Sequence, residues 1–122
     1  MEPRKCPFCN PYAEDIVVKN DLCYARWDRH PVSKGHILIV PFRHEPDFFF
    51  LTNEEREAIL ALADDCKFVI EKNFRPTGYN IGFNVGGSAG QTAMHTYCHM
   101  IPRYPGDVQE IRGGIRAVVP KF

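Results

Sequence analysis

The chain carries no surplus of charge: 15 Lys and Arg stand against 15 Asp and Glu in 122 residues. It offers no global field that would draw in nucleic acid or an anionic membrane, so any anion site has to be local. It has no apolar run near the ~18 residues of a membrane span and no basic-then-apolar signal pattern, and a soluble, cytoplasmic protein is expected. Internal repeats and low-complexity stretches are missing too, and the length suits a single domain, residues 1–122, with its own core. The five cysteines, at positions 6, 9, 23, 66 and 98, are odd in number and lack the matched spacing of a disulfide framework. Reduced thiols fit better, and Cys23, Cys66 and Cys98, each inside an apolar or strand-like pattern, read as small core residues.

What is present begins with an irregular stretch, residues 1–15, rich in proline and turn residues and in need of something to hold it. Residues 16–19 and 22–27 read as strands around the Asn20-Asp21 turn, with Leu22, Tyr24 and Arg26 on one face and Cys23, Ala25 and Trp27 on the other. A loop with Pro31, Ser33 and Gly35 follows. Residues 36–40 are then an apolar, branched run closed by Pro41, as in a buried strand. Thr52 and Glu55 form a capping box that opens a helix running to about Asn73, with Ile59, Leu62, Cys66, Val69 and Ile70 as its buried stripe. Pro76 and Gly78 end it. Residues 79–84 alternate as a strand, residues 85–92 form a glycine-containing loop, and residues 94–101 read as the last strand, before an irregular tail over 104–122. Strands joined by short connections around one long helix predict an α+β domain with a mainly antiparallel sheet, not a βαβ nucleotide fold.

Two stretches carry chemistry. Cys6-Pro7-Phe8-Cys9 lacks the strand-to-helix context of a redox pair, which leaves half of a zinc site or a bland pair of surface thiols. With no second Cys-x-x-Cys in the chain, a tetrahedral zinc site needs two histidines from elsewhere, and His44 and His95 are the candidates. The second stretch is residues 84–103. Asn84, Ser88, Gln91 and Thr92 around Gly86, Gly87 and Gly90 can form a concave set of donors for phosphate, although such loops are also ordinary turns. Period-two alternation then places His95, Tyr97, His99 and Ile101 on one strand face, three polar aromatic rings in a row.

These residues resemble the histidine triad (HIT) family of nucleotide hydrolases and transferases. Its signature, His-x-His-x-His followed by two apolar residues and introduced by Gly-Gln-Ser/Thr, is matched by Gly90-Gln91-Thr92 and by His95-Thr96-Tyr97-Cys98-His99-Met100-Ile101, apart from Tyr97. Trp27-Asp28, residues 34–41, Arg43-His44 and Asn84 fall in the family's order and rough spacing. Pro102-Arg103-Tyr104 looks like a bacterial or archaeal branch, and the Cys-x-x-Cys like its zinc-containing members. The resemblance implies a five-stranded antiparallel sheet with one long helix, paired into a homodimer through that helix and an edge strand. It implies substrates such as nucleoside phosphoramidates or dinucleoside polyphosphates. Asp28 would hold ribose hydroxyls, and Asn84, Gly90, Gln91, Thr92 and His99 would line the phosphate site, with His99 and Gln91 also serving catalysis and His36 lining the pocket or supporting it. A structural zinc would sit on Cys6, Cys9, His44 and His95.

Tyr97 occupies the place of the family's nucleophilic histidine. Imidazole is neutral and nucleophilic near pH 7 and later leaves well from a nucleotidyl intermediate. A phenol with a pKa of about 10 is ionised in only about one molecule in a thousand at pH 7, and its aryl phosphodiester lacks an imidazolium leaving group. The expectation is a nucleotide-binding protein with impaired catalysis. The alternative is a zinc-stabilised module for nucleotide sensing or protein interaction. A local basic patch of Arg103, Arg112 and Arg116 is the one feature that would suit nucleic acid, against the neutral charge.

Overall fold

The computed structural model describes residues 6–115. Five strands, β1 (Val18–Lys19), β2 (Cys23–Trp27), β3 (Ile37–Pro41), β4 (Gly78–Gly82) and β5 (Cys98–Arg103), and one helix, α1 (Asn53–Asn73), make up its regular structure. The strands form one sheet in the order β1-β2-β3-β5-β4, and every neighbouring pair is antiparallel. The expected five-stranded α+β architecture is what the chain adopts.

The helix starts where the capping box places it: the Thr52 hydroxyl accepts the Glu55 N–H at 3.0 Å and the Glu55 carboxylate accepts the Thr52 N–H at 2.8 Å. Glu55 is itself buried, and its charge is met by Arg43, whose Nε and Nη2 both donate to the carboxylate at 2.9 Å. Ile59, Leu62, Cys66 and Ile70 recur at helical spacing and pack on Cys23, Ala25, Ile37, Ile39, Cys98 and Met100 of the sheet. Val69, expected in that stripe, is only half-buried, because it lies at the stripe's margin.

The second face of the sheet builds the site. Tyr24, Leu38 and Val40 are buried there beneath Phe8, Ile16, Phe42 and Tyr97, so the irregular N-terminal segment is held by this smaller core. Alternation along β2 sends Tyr24 and Arg26 to this face and Cys23 and Ala25 to the helix, as the sequence pattern predicts. The register then sets Arg26 opposite Leu38 and Leu38 opposite His99, a row running across three strands.

The last strand departs from expectation. It begins at Cys98 rather than at residue 94 and continues through Pro102 to Arg103. Residues 93–97 leave the ladder because the Thr96 N–H is donated to the Glu45 carbonyl at 2.8 Å and the His95 ring turns inward to the Pro41 carbonyl. Beyond β5, Arg103 forks onto Asp107 at 2.8 and 2.9 Å and reaches Asn80 at 2.6 Å, while Arg112 pairs with Glu110. Two of the three arginines considered for a basic patch are therefore neutralised within the chain, and Arg116 lies outside the described residues.

The helix supplies Ile59, Leu62, Cys66 and Ile70 to the main core, so Ile59→Ala, at a site 1 % exposed, should cost about 2–5 kcal/mol. The exposed cap variant Thr52→Ala should cost only about 1 kcal/mol. Urea unfolding of the two variants beside the parent chain checks both magnitudes and their order.

Candidate functional site

Four of the expected ligands meet at one point. Cys6, Cys9, His44 and His95 bring their sulfur and nitrogen atoms within 4.8 Å of one another. The Sγ to Nδ1 separations are 3.4 Å for Cys6 to His95, 3.1 Å for Cys9 to His44 and 3.7 Å for Cys9 to His95, and the two Nδ1 atoms are 3.2 Å apart. A tetrahedral ion with bonds of about 2.3 Å to sulfur and about 2.05 Å to nitrogen would hold S and N about 3.5 Å apart and two N about 3.3 Å apart. The observed S–N distances of 3.1 to 3.7 Å bracket the first value, and the N–N distance of 3.2 Å lies close to the second.

The fit extends to protonation. His95 is fully buried, and its Nε2–H donates to the Pro41 carbonyl at 2.8 Å, which leaves the Nδ1 lone pair pointing at the cluster. Burial holds the imidazole below its ordinary pKa, with His44 acting in the same direction and the Pro41 bond opposing. The neutral ring that results is the form a metal needs. No disulfide competes for Cys6 and Cys9 among the described residues. These four residues could hold a metal ion.

A second polar trio lies on the sheet face nearby: Asp28 at the end of β2, His36 just before β3, and His99 on β5. His36 Nε2 is 3.0 Å from His99 Nδ1 and 3.3 Å from an Asp28 carboxylate oxygen. The Val32 N–H donates to His36 Nδ1 at 3.0 Å, so the neutral ring must carry its proton on Nε2. Nε2 is then a donor to His99 or Asp28 and has no lone pair to give a metal. This trio is a hydrogen-bonded relay, and its chemistry sets it apart from the sulfur-containing cluster. Burial pushes the His36 pKa down to about 4, with His99 adding to the fall and Asp28 opposing it, and burial lowers His99 likewise. When His99 Nδ1 accepts from His36, its own proton sits on Nε2, ready to donate to an anion.

Tyr97 stands between these groups. Its ring packs against Phe8 with centroids 5.0 Å apart and edge-on against His99 at 5.1 Å. Burial raises the phenol's pKa further, Asp28 adds to that, and the Thr92 side chain partly offsets it by hydrogen bonding. The net effect opposes ionisation of the hydroxyl. Tyr97 and His99 keep the shared face that period-two alternation gives them, but His95 has left the row for the cluster with Cys6, Cys9 and His44.

Beside Tyr97 opens a cavity of about 220 Å³, whose walls include Phe8, Arg26, Asp28, Leu38, Thr92 and Tyr97. Thr92 and Asp28, two of the expected ligand-binding residues, thus line one cavity. Gln91 is used differently: its amide donates to the Pro46 and Ala93 carbonyls at 2.7 and 3.0 Å and its carbonyl accepts the Gly86 N–H at 2.8 Å. As arranged it shapes the loop. Gly90 adopts φ +97, which a side chain would strain, and Asn84 lies against it. Asn84, Gly90, Gln91, His36 and His99 are not among the cavity's wall residues; His99 lies next to it, edge-on against the Tyr97 ring. Arg26 and Phe8 were missed as site residues. The signal for Arg26 was available, since a charged residue alternating with apolar ones on a buried strand face needs a reason to be there.

Comparison with known proteins agrees with this geometry. The HIT domain family matches residues 11–106. An AP-4-A phosphorylase of Mycobacterium tuberculosis is 34 % identical over 110 residues, covering 88 % of this chain and 56 % of the relative. An asymmetrical bis(5'-nucleosyl)-tetraphosphatase of Schizosaccharomyces pombe is 33 % identical over 100 residues, covering 82 % of this chain and 55 % of the relative. The chain thus spans about half the length of both. Among solved structures, a zinc-bound histidine triad family protein from Mycobacterium smegmatis superposes with a TM-score of 0.76 at 25 % identity, covering 88 % of this chain and 81 % of that one. With the five-stranded antiparallel sheet and its one long helix as expected, and with the family's domain matched over residues 11–106, the chain belongs to the HIT domain family.

Proposed function

We propose that the protein binds a nucleotide or nucleotidyl compound in the cavity beside Tyr97, on a scaffold whose lineage is nucleotidyl hydrolysis or transfer, with turnover impaired at Tyr97. The observation that carries this reading is that the relay Asp28–His36–His99 is assembled while the residue at the reacting position is a buried phenol. His99 would present Nε2–H to a phosphate oxygen, Asp28 would accept from ribose hydroxyls, and Thr92 would add a hydroxyl from the loop. Gln91, by bonding Gly86, Pro46 and Ala93, would hold that loop in place, with Asn84 and Gly90 beside it. The related phosphorylase and tetraphosphatase support a dinucleoside polyphosphate or a similar nucleotidyl compound as the ligand class.

Catalysis fails at a definable step. Displacement at phosphorus needs a group that attacks as a neutral base and departs as a stable leaving group, and imidazole does both. The Tyr97 hydroxyl is protonated at neutral pH, and burial keeps it so. Titration of the metal-replete chain with a nucleoside monophosphate should give saturable binding. In the same preparation, Tyr97→His should raise release of nucleoside monophosphate from a nucleoside phosphoramidate by on the order of a hundredfold or more, the scale on which removing a nucleophile acts. A parent chain as fast as the variant would refute the impairment.

The reading assigns zinc to Cys6, Cys9, His44 and His95 as a structural ion that ties the N-terminal segment to the start of β5, in a reducing, cytoplasmic compartment. The donor spacings and the His95 tautomer support it, as does the zinc-bound relative. Elemental analysis should find one zinc per chain, and chelation or Cys9→Ser should lower the melting temperature by on the order of 10 °C or more. Zinc without nucleotide binding would instead favour an interaction module.

Leu60 and Phe68 are exposed on α1 and Ile81 on the edge strand β4, which supports pairing of two chains through that helix and edge. Light scattering should give a mass twice the 14.0 kDa of one chain, and a monomer at micromolar concentration would refute the pairing.

A further inference from the structure

Arg26 is a charged side chain placed where a charge is costly. It is 5 % exposed and sits on the same sheet face as Tyr24, Leu38 and Val40. Its nearest carboxylate, Asp15, is 3.9 Å from Nη2, beyond hydrogen-bond reach. Nη1 donates to the Pro7 carbonyl at 3.3 Å, and the Tyr24 hydroxyl, which donates to the Phe8 carbonyl at 2.7 Å, also hydrogen-bonds with the arginine. The guanidinium carbon lies 5.5 Å from the centre of the Phe8 ring. A guanidinium fork has more N–H donors than these acceptors consume, and Arg26 contributes to the cavity wall. Holding the N-terminal segment explains one edge of the fork and leaves the cavity side unexplained.

Position across the sheet says what could meet it. Arg26, Leu38 and His99 are directly paired on three successive strands, so the Arg26 backbone is about 10 Å from that of His99. That span is comparable to the reach of a nucleoside monophosphate from its phosphate to the far edge of its base. With phosphate on His99 and ribose near Asp28, two residues from Arg26 on β2, the base would lie over Leu38 beside the Phe8 ring. Its outer edge would then face the guanidinium.

We propose that Arg26 is a specificity residue that selects a 6-oxopurine nucleotide, guanine or hypoxanthine, over adenine; this rests on the cavity being the nucleotide site. Arginine only donates hydrogen bonds, and its fork matches the paired O6 and N7 acceptors of a 6-oxopurine. Adenine sets an N6 amino group beside N7, so one buried N–H of the arginine would face another donor and stay unpaired. Pro7 and Tyr24 hold the fork in place before the ligand arrives, which lowers the ordering cost of binding.

Calorimetric titration of the metal-replete full chain with GMP, IMP and AMP tests this. GMP and IMP should bind about five- to a hundredfold tighter than AMP, the discrimination typical of a bidentate arginine contact. In Arg26→Met the gap should close, chiefly by weaker GMP and IMP binding. AMP binding as tightly as GMP overturns the proposal, as does a gap that survives in the variant. A uniform loss for all three nucleotides would mean that Arg26 meets phosphate, and overturns it too. Should the variant not fold, 7-deaza-GMP on the parent chain decides: it should bind several-fold more weakly than GMP, and equal affinity refutes the contact. No saturable binding by any nucleotide refutes the nucleotide site itself, an outcome distinct from binding without preference.

Discussion

The hydrogen bond from His95 to the Pro41 carbonyl is the constraint on which the site depends. A fully buried imidazole must satisfy its N–H, and the end of β3 supplies the acceptor at 2.8 Å. That choice fixes the tautomer and turns Nδ1 toward Cys6, Cys9 and His44. It also draws residues 93–97 out of the sheet, so that β5 starts only at Cys98 and Tyr97 reaches the cavity from a loop rather than from a ladder. One bond therefore links the N-terminal segment, the end of β3 and the loop that carries Tyr97.

The two histidine clusters show how environment divides identical side chains between roles. His95 is neutral and aims a lone pair at sulfur and nitrogen neighbours. His36 is neutral too, but the Val32 N–H occupies its other nitrogen, so it can only hand a proton toward His99 or Asp28. The first arrangement suits a metal and the second an anion. Tyr97 sits between them, its ring packed against those of Phe8 and His99.

Much of the architecture was legible from local patterns. The capping box at Thr52 and Glu55, the period-two alternation of residues 22–27 and the helical stripe from Ile59 to Ile70 are each set by neighbours within a few residues, and each appears as the pattern implies. The Gly-Gln-Thr lead-in and the spaced histidines identified the family. Local pattern failed for residues 93–97, whose alternation is strand-like but whose hydrogen bonds go to Glu45 and Pro41, some fifty residues away. It could not show the partners of Gln91 either, whose amide bonds Pro46, Ala93 and Gly86, because these lie across the loop and the fold.

The sequence by itself determined the start of the helix and its buried stripe, the two faces of β2 and the inventory of donors, because these follow from side-chain periodicity and chemistry that short segments carry. It also determined that Tyr97 stands two residues from both His95 and His99. Only the tertiary structure decided which nitrogen of each histidine is free, because a tautomer is set by the partner across the fold. Only the strand register decided that Arg26, Leu38 and His99 form one row, because pairing between β2, β3 and β5 joins residues far apart in the chain.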